Sequence, residues 1–178
     1  MNSNISCSYK RLRHLLYAVV LIVIDQLTKY AARTRFSDGS DISVIPGTLR
    51  LLLHKNTGAV WGFLSGTKHS ILYLSIATLI ILSLIIFIYF KIPDTKKYAP
   101  ILLIITFIFS GAIGNLIDRV CLNYVTDFIY VELINFPVFN VADCYVTVSV
   151  FLLCYLILFK YTDSDLDFFS KKKNNIGE

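Results

Sequence analysis

The chain has 178 residues, of which 56% are hydrophobic and only 16% are charged, and its mean hydropathy is +0.65. Soluble domains are about 45–50% apolar, so this composition excludes an ordinary soluble protein and predicts a polytopic membrane protein with a single domain. The net charge of +5 does not indicate a nucleic-acid binder. The basic residues flank apolar segments, an arrangement typical of topology signals and contacts with anionic lipid.

The cysteines and histidines do not form a metal-binding pattern. Cys7, Cys121, Cys144 and Cys154 show no Cys-x-x-Cys spacing, and the three histidines lie far from them in the sequence. A zinc site needs such clustered ligands. We therefore predict no metal ion and no other cofactor.

Four apolar segments are predicted to be membrane-spanning helices. They cover residues 13–33, 70–90, 100–117 and 141–159, and a helix of roughly 20 residues crosses the hydrocarbon core. Lys10, Arg11 and Arg13 precede the first segment, as basic residues precede a signal peptide. However, no small-residue cleavage site follows, and Asp25 and Lys29 interrupt its far end. We therefore expect an uncleaved helix.

The loop at residues 34–69 is long enough to hold structure. Segments 42–45 and 48–53 are predicted to be short strands, separated by the turn dipeptide Pro46-Gly47. Trp61 and Phe63 are typical of the membrane interface. These features predict a small sheet on the membrane surface. A second loop covers residues 118–140, and the polar tail at 160–178 is predicted to be mobile.

Four spans place both termini on the same side of the membrane. The basic residues of that side are Lys10, Arg11, Arg13, Lys91, Lys96, Lys97, Lys160 and residues 171–173. The positive-inside rule then predicts cytoplasmic termini. It also brings Asp25, Lys29, residues 115–119, Asn140 and Asp143 to one depth near the extracytoplasmic face. Polar groups at membrane depth are costly and usually mark function, so a shared site is predicted there.

Two features of this polar set have structural interpretations. Asp25 and Lys29 are spaced i, i+4 with the acid first, the favourable orientation for an ion pair. That pair could be structural alone, or it could orient a neighbouring site. Ser110, Gly111 and Gly114 are small residues, whose spacing favours close helix packing over ligand contact.

Arg119 is open to two interpretations. Its side chain could extend to lipid phosphates at the membrane surface. Alternatively, Asn115 and Arg119, which are also spaced i, i+4, face the protein interior and hold a substrate or the following loop. The sequence leaves both alternatives open.

The strongest chemical signal is the pair Asp127 and Asp143, in the polar stretch 111–143 that joins two spans. An acid at a helix start is often only a cap or a dipole partner. Two carboxylates that share one proton can instead hydrolyse a peptide bond, because the ionised group takes a proton from water while the protonated group donates to the carbonyl. Like charges at short range cannot both ionise. We therefore predict that Asp127 and Asp143 form a catalytic pair.

Five short motifs follow one another between Asp25 and Val150: D-x-x-x-K (Asp25, Lys29), N-x-G-A (Asn56, Gly58, Ala59), G-x-x-G-N-x-x-D-R (Gly111, Gly114, Asn115, Asp118, Arg119), V-x-D-F (Asp127) and F-N-x-A-D (Asn140, Ala142, Asp143). In these motifs and their order the sequence resembles lipoprotein signal peptidase (signal peptidase II), a bacterial intramembrane aspartyl protease. Trp61 and Cys144 depart from the residues usual in the family, and the tail after Lys160 has no clear counterpart.

The resemblance implies a four-helix α-helical membrane protein with a small extracytoplasmic sheet, and Asp127 and Asp143 as its catalytic residues. It implies substrate contacts by Asn56, Gly58, Asn115, Arg119, Asn140 and Ala142, and supporting roles for Asp25, Lys29, Gly111 and Asp118. The implied substrate is a diacylglyceryl-modified prolipoprotein, cut before its lipidated cysteine in the bacterial cell (inner) membrane. Membrane lipids are expected partners, nucleic acid is not, and a monomer is expected. The alternatives are a proton-relaying transporter and a non-catalytic lipid-binding or scaffold protein.

Overall fold

The computed structural model describes residues 2–58 and 69–166, with side chains described from residue 11 onwards. The elements in chain order are α1 (Asn2–Arg35), β1 (Asp41–Ile45), β2 (Leu49–Asn56), α2 (Ser70–Lys91), α3 (Ala99–Leu122), β3 (Val125–Val131), a single 3₁₀ turn (Glu132–Ile134), α4 (Val141–Phe159) and the short α5 (Asp163–Leu166). The described residues do not include Ala59, Trp61, Phe63 or residues 171–173. The prediction that Trp61 and Phe63 lie at the membrane interface therefore falls outside the described part of the chain.

Four helices in the described part of the chain are long and apolar enough to cross a membrane. Their segments are Arg11–Arg35, Ser70–Lys91, Ala99–Leu122 and Val141–Phe159. The protein is therefore a multi-pass membrane protein, and the predicted fold class is confirmed. α3 is the central helix, because it packs against α1, α2 and α4.

Local sequence determines where the central helices begin and end. Pro93 follows the last residue of α2 closely, and Pro100 occupies the first turn of α3, where a missing N–H costs nothing. α3 ends at Leu122 and is capped by Asn123, which adopts a left-handed conformation (φ 61°) and whose N–H donates to the Arg119 carbonyl. The helix thus extends past the predicted end at residue 117 and includes Asp118 and Arg119 near its C-terminal end.

The two predicted strands are present, and a third strand joins them. The sheet is antiparallel with the order β1–β2–β3. The turn between β1 and β2 contains Gly47 with a positive φ of 69°, which suits glycine. β3 lies within residues 118–140, a segment for which the sequence predicts a loop. The strand forms there because its backbone pairs with β2, which is distant in sequence. His54 of β2 is paired with Asp127 of β3.

The first part of the C-terminal tail is packed, contrary to the predicted mobile tail from Lys160. Tyr161 is buried; it stacks on Tyr98 with ring centroids 5.9 Å apart and donates a hydrogen bond to the Lys97 carbonyl at 2.6 Å. Asp165 forms an ion pair with Lys97. These contacts hold residues 160–166 against the α2–α3 turn, which polar composition alone could not predict. Residues 167–178 lie outside the described part of the chain.

Candidate active site

Asp25 and Lys29 are fully buried and form an ion pair, with Lys29 Nζ 2.9 Å from Asp25 Oδ2. The same ammonium group donates to Asn115 Oδ1 at 2.9 Å and lies 3.7 Å from Asp118 Oδ2. One buried cation therefore holds together side chains of α1 and α3. Buried charges require such compensation, because their desolvation is costly.

Asp25 also connects α1 to the start of α4. Its Oδ1 accepts a hydrogen bond from the Ala142 backbone N–H at 3.0 Å, and a carboxylate is favourable near the positive end of a helix dipole. A Cβ at Gly114 would overlap the Asp25 carboxylate, and a Cβ at Gly111 would lie 2.5 Å from the Ala142 carbonyl oxygen. The two glycines therefore permit the close approach of α1, α3 and α4, which supports the packing interpretation.

Asp118 holds β3 in place beside the predicted catalytic residue. Its Oδ2 accepts the Thr126 backbone N–H at 2.8 Å, one residue before Asp127. Arg33 Nη1 lies 3.8 Å from Asp118 Oδ1 and donates to Thr126 Oγ1 at 2.9 Å. The strand that carries Asp127 is thus joined to α3 and α1 by polar contacts.

Sequence reasoning missed Gln26, Arg33 and Thr126. Gln26 Nε2 donates to the Gly114 carbonyl at 3.1 Å and to Asp25 Oδ2 at 3.2 Å. A signal for Arg33 was available, because residues 25, 29 and 33 are spaced by four and lie on one face of a helix. No local pattern indicated Thr126, whose contacts come from distant parts of the chain.

Asp127 is 2% exposed and accepts two amide hydrogen bonds. Asn140 Nδ2 donates to its Oδ1 at 2.6 Å, and Asn56 Nδ2 donates to its Oδ2 at 2.9 Å. Burial and the negative charge of Asp143 raise the pKa of Asp127 to about 6, against the lowering effect of the two amides. This carboxyl group thus retains its proton far more readily than an exposed aspartate.

Asp143 lies in the first turn of α4 and forms a reciprocal cap with Asn140. Its Oδ2 accepts the Asn140 backbone N–H at 3.1 Å, and its own backbone N–H donates to Asn140 Oδ1 at 3.1 Å. The other carboxylate oxygen accepts from Asn115 Nδ2 at 2.8 Å. Asp143 therefore has the capping role that the sequence left open. Capping does not prevent chemistry, since the side chain is only half-buried.

Asn140 brings the two aspartates together. Its side-chain nitrogen donates to Asp127 Oδ1 and, at 3.1 Å, to Asn115 Oδ1, while its Oδ1 and backbone N–H form the cap with Asp143. Asn140 lies beside β3 because Phe139 pairs with Ile129 through N–H···O bonds of 2.8 and 3.0 Å. Both carboxylates thus contact one asparagine. Among the described residues, no hydrogen bond joins the two carboxylates directly.

Arg119 lies near this pair. Its charge interacts with those of Asp143, Asp127 and Asp118, and its Nε is buried without a hydrogen-bond partner in the described part of the chain. A buried Nε favours the interior alternative over extension to lipid. Gly58 is also buried, and its N–H donates to Asn56 Oδ1 at 2.9 Å. Ala142 is buried at the start of α4.

The fold and these contacts define a class of protein: a four-helix membrane protein with an aspartate pair at the end that carries the sheet. The signal peptidase II family model matches residues 17–159. Lipoprotein signal peptidases of Staphylococcus aureus strains MRSA252 and JH9 are 39% and 38% identical over 146 residues, which cover 81% of this chain and 86% of each relative. The chain therefore belongs to the signal peptidase II family.

Solved structures agree with this assignment. A bacterial membrane enzyme determined by the in meso method at 2.3 Å matches with a TM-score of 0.72 and 35% identity, over 93% of this chain and 94% of that chain. A second, at 1.9 Å, has a TM-score of 0.70 and 38% identity, over 84% and 94%. The predicted family is confirmed. The protein is an aspartic-type peptidase that removes signal peptides in lipoprotein maturation, which sets aside the transporter and scaffold alternatives.

Proposed function

We propose that this enzyme is an intramembrane aspartic endopeptidase that cleaves diacylglyceryl-modified prolipoproteins immediately before the lipidated cysteine. The observation that carries the proposal is the contact of both Asp127 and Asp143 with Asn140. Fixed amide donors hold each carboxylate in one orientation, which is the preorganisation that acid–base catalysis requires.

Asp127 acts as the acid of the pair and Asp143 as the base. The raised pKa of Asp127 favours its protonated form, which donates a proton to the scissile carbonyl oxygen. Asp143, more exposed and bonded by two N–H donors, takes a proton from water as that water attacks the carbonyl carbon. Because the two carboxyl groups interact, they titrate as a coupled pair and not as two independent groups.

The remaining residues bind and position the substrate. Arg119 has an unpartnered buried Nε near the pair within the described part of the chain, and it donates to substrate carbonyl groups. Asn56, Gly58, Asn115, Asn140 and Ala142 form the walls of the substrate groove. Asp25, Lys29, Gly111 and Asp118 support those walls. We propose that the enzyme acts as a monomer, since all of these side chains come from one chain, and that it requires no nucleic acid.

The site lies at the extracytoplasmic face, with both termini in the cytoplasm. The end of the bundle away from the aspartate pair carries Arg11, Arg13, Lys91, Lys96 and Lys97, and basic residues are retained on the cytoplasmic side. The diacylglyceryl chains of a substrate would then lie in the outer leaflet, with the modified cysteine at the depth of Asp127 and Asp143.

The direct test compares a precursor that carries diacylglycerol on its lipobox cysteine with the same precursor unmodified. The purified enzyme in nanodiscs should cleave only the modified form, and mass spectrometry should identify the lipidated cysteine as the new N-terminus. The acyl chains and thioether supply binding that the unmodified precursor lacks. Equal cleavage of both precursors, or cleavage at another bond, would contradict the proposed substrate.

The pKa of Asp127 predicts the pH dependence. Because burial and Asp143 raise this pKa from 3.8 to about 6, the free enzyme loses the required proton as the pH rises through about 6. We expect kcat/KM to fall about tenfold per pH unit above that value, since kcat/KM reports ionisations of the free enzyme. A flat kcat/KM profile between pH 6 and 8 would contradict Asp127 as the acid.

A further inference from the structure

A cavity lies between α1, α2 and α3, at the end of the bundle that carries the α2–α3 turn. Its volume is about 730 Å³, within the range of roughly 300–1,000 Å³ that is typical of ligand sites. Its walls include Arg11, His14 and Ala18 of α1, Tyr89 and Phe90 of α2, and Ile105 of α3. We call this space the α1–α2–α3 groove.

The groove is separate from the aspartate site. At a rise of 1.5 Å per residue, Phe109, the groove residue of α3 nearest to Asn115, lies about 9 Å from it along the helix, and Ala18 lies about 10 Å along α1 from Asp25. The groove therefore does not hold the peptide bond that is cut. Its position within helices that cross the membrane gives lipid direct access.

The walls of the groove are mostly apolar, and the described residues cover them incompletely. Leu12 and Leu15 line it and are 60% and 59% exposed. A hydrocarbon chain is the kind of ligand that such apolar walls favour.

The mouth of the groove is cationic. The Arg11 guanidinium lies 5.0 Å from the centre of the Phe90 ring, a contact that holds the charge at the mouth. Lys91 directly follows Phe90 of the groove wall, and its ammonium lies 5.5 Å from the centre of the Phe87 ring. Asp94 borders a small adjoining cavity with Arg11. Among the described residues, two cations thus accompany one carboxylate at the mouth, which retains an excess of positive charge.

We propose that the α1–α2–α3 groove binds an anionic phospholipid, with an acyl chain between the helices and its phosphate at Arg11. A guanidinium group can donate two parallel hydrogen bonds to a phosphate. The charge also argues against the signal peptide as occupant. Signal peptides carry a basic n-region, which on a substrate cut at the aspartate pair would lie at this end and meet the same cations.

Native mass spectrometry of the full chain in mild detergent tests the proposal. The protein is titrated with phosphatidylglycerol or with phosphatidylcholine of the same acyl chains. We expect one phosphatidylglycerol to be retained preferentially, and Arg11→Gln to weaken its retention about fivefold, since one basic residue near a membrane surface contributes about 1 kcal/mol. Ala18→Trp, which fills the groove, should weaken retention of that lipid without changing any charge.

Arg13→Gln is the matched control, because its guanidinium lies over the Tyr17 ring, 6.0 Å from the centroid, and does not line the groove. This variant should retain the lipid as the unmodified protein does, and circular dichroism should show that all three variants are folded. Equal retention of the two lipids, or equal losses in Arg11→Gln and Arg13→Gln, would overturn the proposal. Displacement of phosphatidylglycerol by a synthetic signal-peptide helix would instead identify the substrate as the occupant.

Discussion

Asp127→Asn and Asp143→Asn are each expected to lower kcat by about 10³-fold or more. General acid–base catalysis typically contributes 10²–10⁴-fold, and each substitution leaves the pair without one of its two ionisable groups. If the residues act as a unit, the double variant should be little worse than either single variant, because effects within one catalytic unit are not additive. Single-turnover cleavage of a lipidated precursor measures these rates.

Asp38→Asn is the control for the replacement of a carboxylate by an amide. Asp38 is exposed, and its carboxylate accepts a hydrogen bond from the Ser40 backbone N–H. This variant should cleave at the normal rate. Folding needs a separate check, since Asn at position 127 would present an amide to the Asn56 and Asn140 donors. Substrate that still binds to the inactive variants would separate lost chemistry from lost structure. Activity within tenfold of normal in either variant would refute the proposed pair.

Lys29→Met is expected to lower the free energy of unfolding by about 3–5 kcal/mol, the usual cost of removing one partner from a buried ion pair. Lys29 is fully buried, and its removal leaves Asp25 and Asp118 as neighbouring carboxylates without their shared cation. It also removes the donor to Asn115, which bonds to Asp143. Activity should therefore fall together with stability. Equilibrium unfolding in mixed micelles, followed by circular dichroism, measures the change.

A double variant distinguishes loss of charge compensation from loss of packing. Asp25→Asn combined with Lys29→Met should cost less than the sum of the two single variants, because one unpaired charge is then absent. Lys96→Met serves as the control on an exposed lysine of the α2–α3 turn and should change stability by less than about 0.5 kcal/mol. A loss in Lys29→Met no larger than in this control would show that the buried ion pair does not stabilise the fold.

Several parts of the site were visible in local sequence. The i, i+4 spacing of Asp25 and Lys29 predicts contact on one helix face, and the two are 2.9 Å apart. Asn140 and Asp143 have the spacing of a helix cap, which the structure contains. Both features depend on residues within one turn of helix, so no distant part of the chain is needed to form them.

The third strand had a local signal that sequence reasoning missed. Six of the seven β3 residues, all except Asp127, are β-branched or aromatic, a composition typical of strands. Its partner and register are not local, because β3 pairs with β2, about 70 residues earlier in the chain, and because Asp118 and Arg33 bind Thr126. The packing of Tyr161 and Asp165 on the α2–α3 turn is likewise a contact between distant segments.

The sequence by itself determined that this chain crosses the membrane four times and which polar residues lie near the span ends, because apolar length and helical spacing are local properties. Only the tertiary structure decided that Asp127 and Asp143 meet at Asn140. That contact requires the β2–β3 register, the pairing of Phe139 with Ile129 and the close approach of α3 to α4 at Gly111. Each of these depends on packing between segments far apart in the chain, which no local pattern encodes.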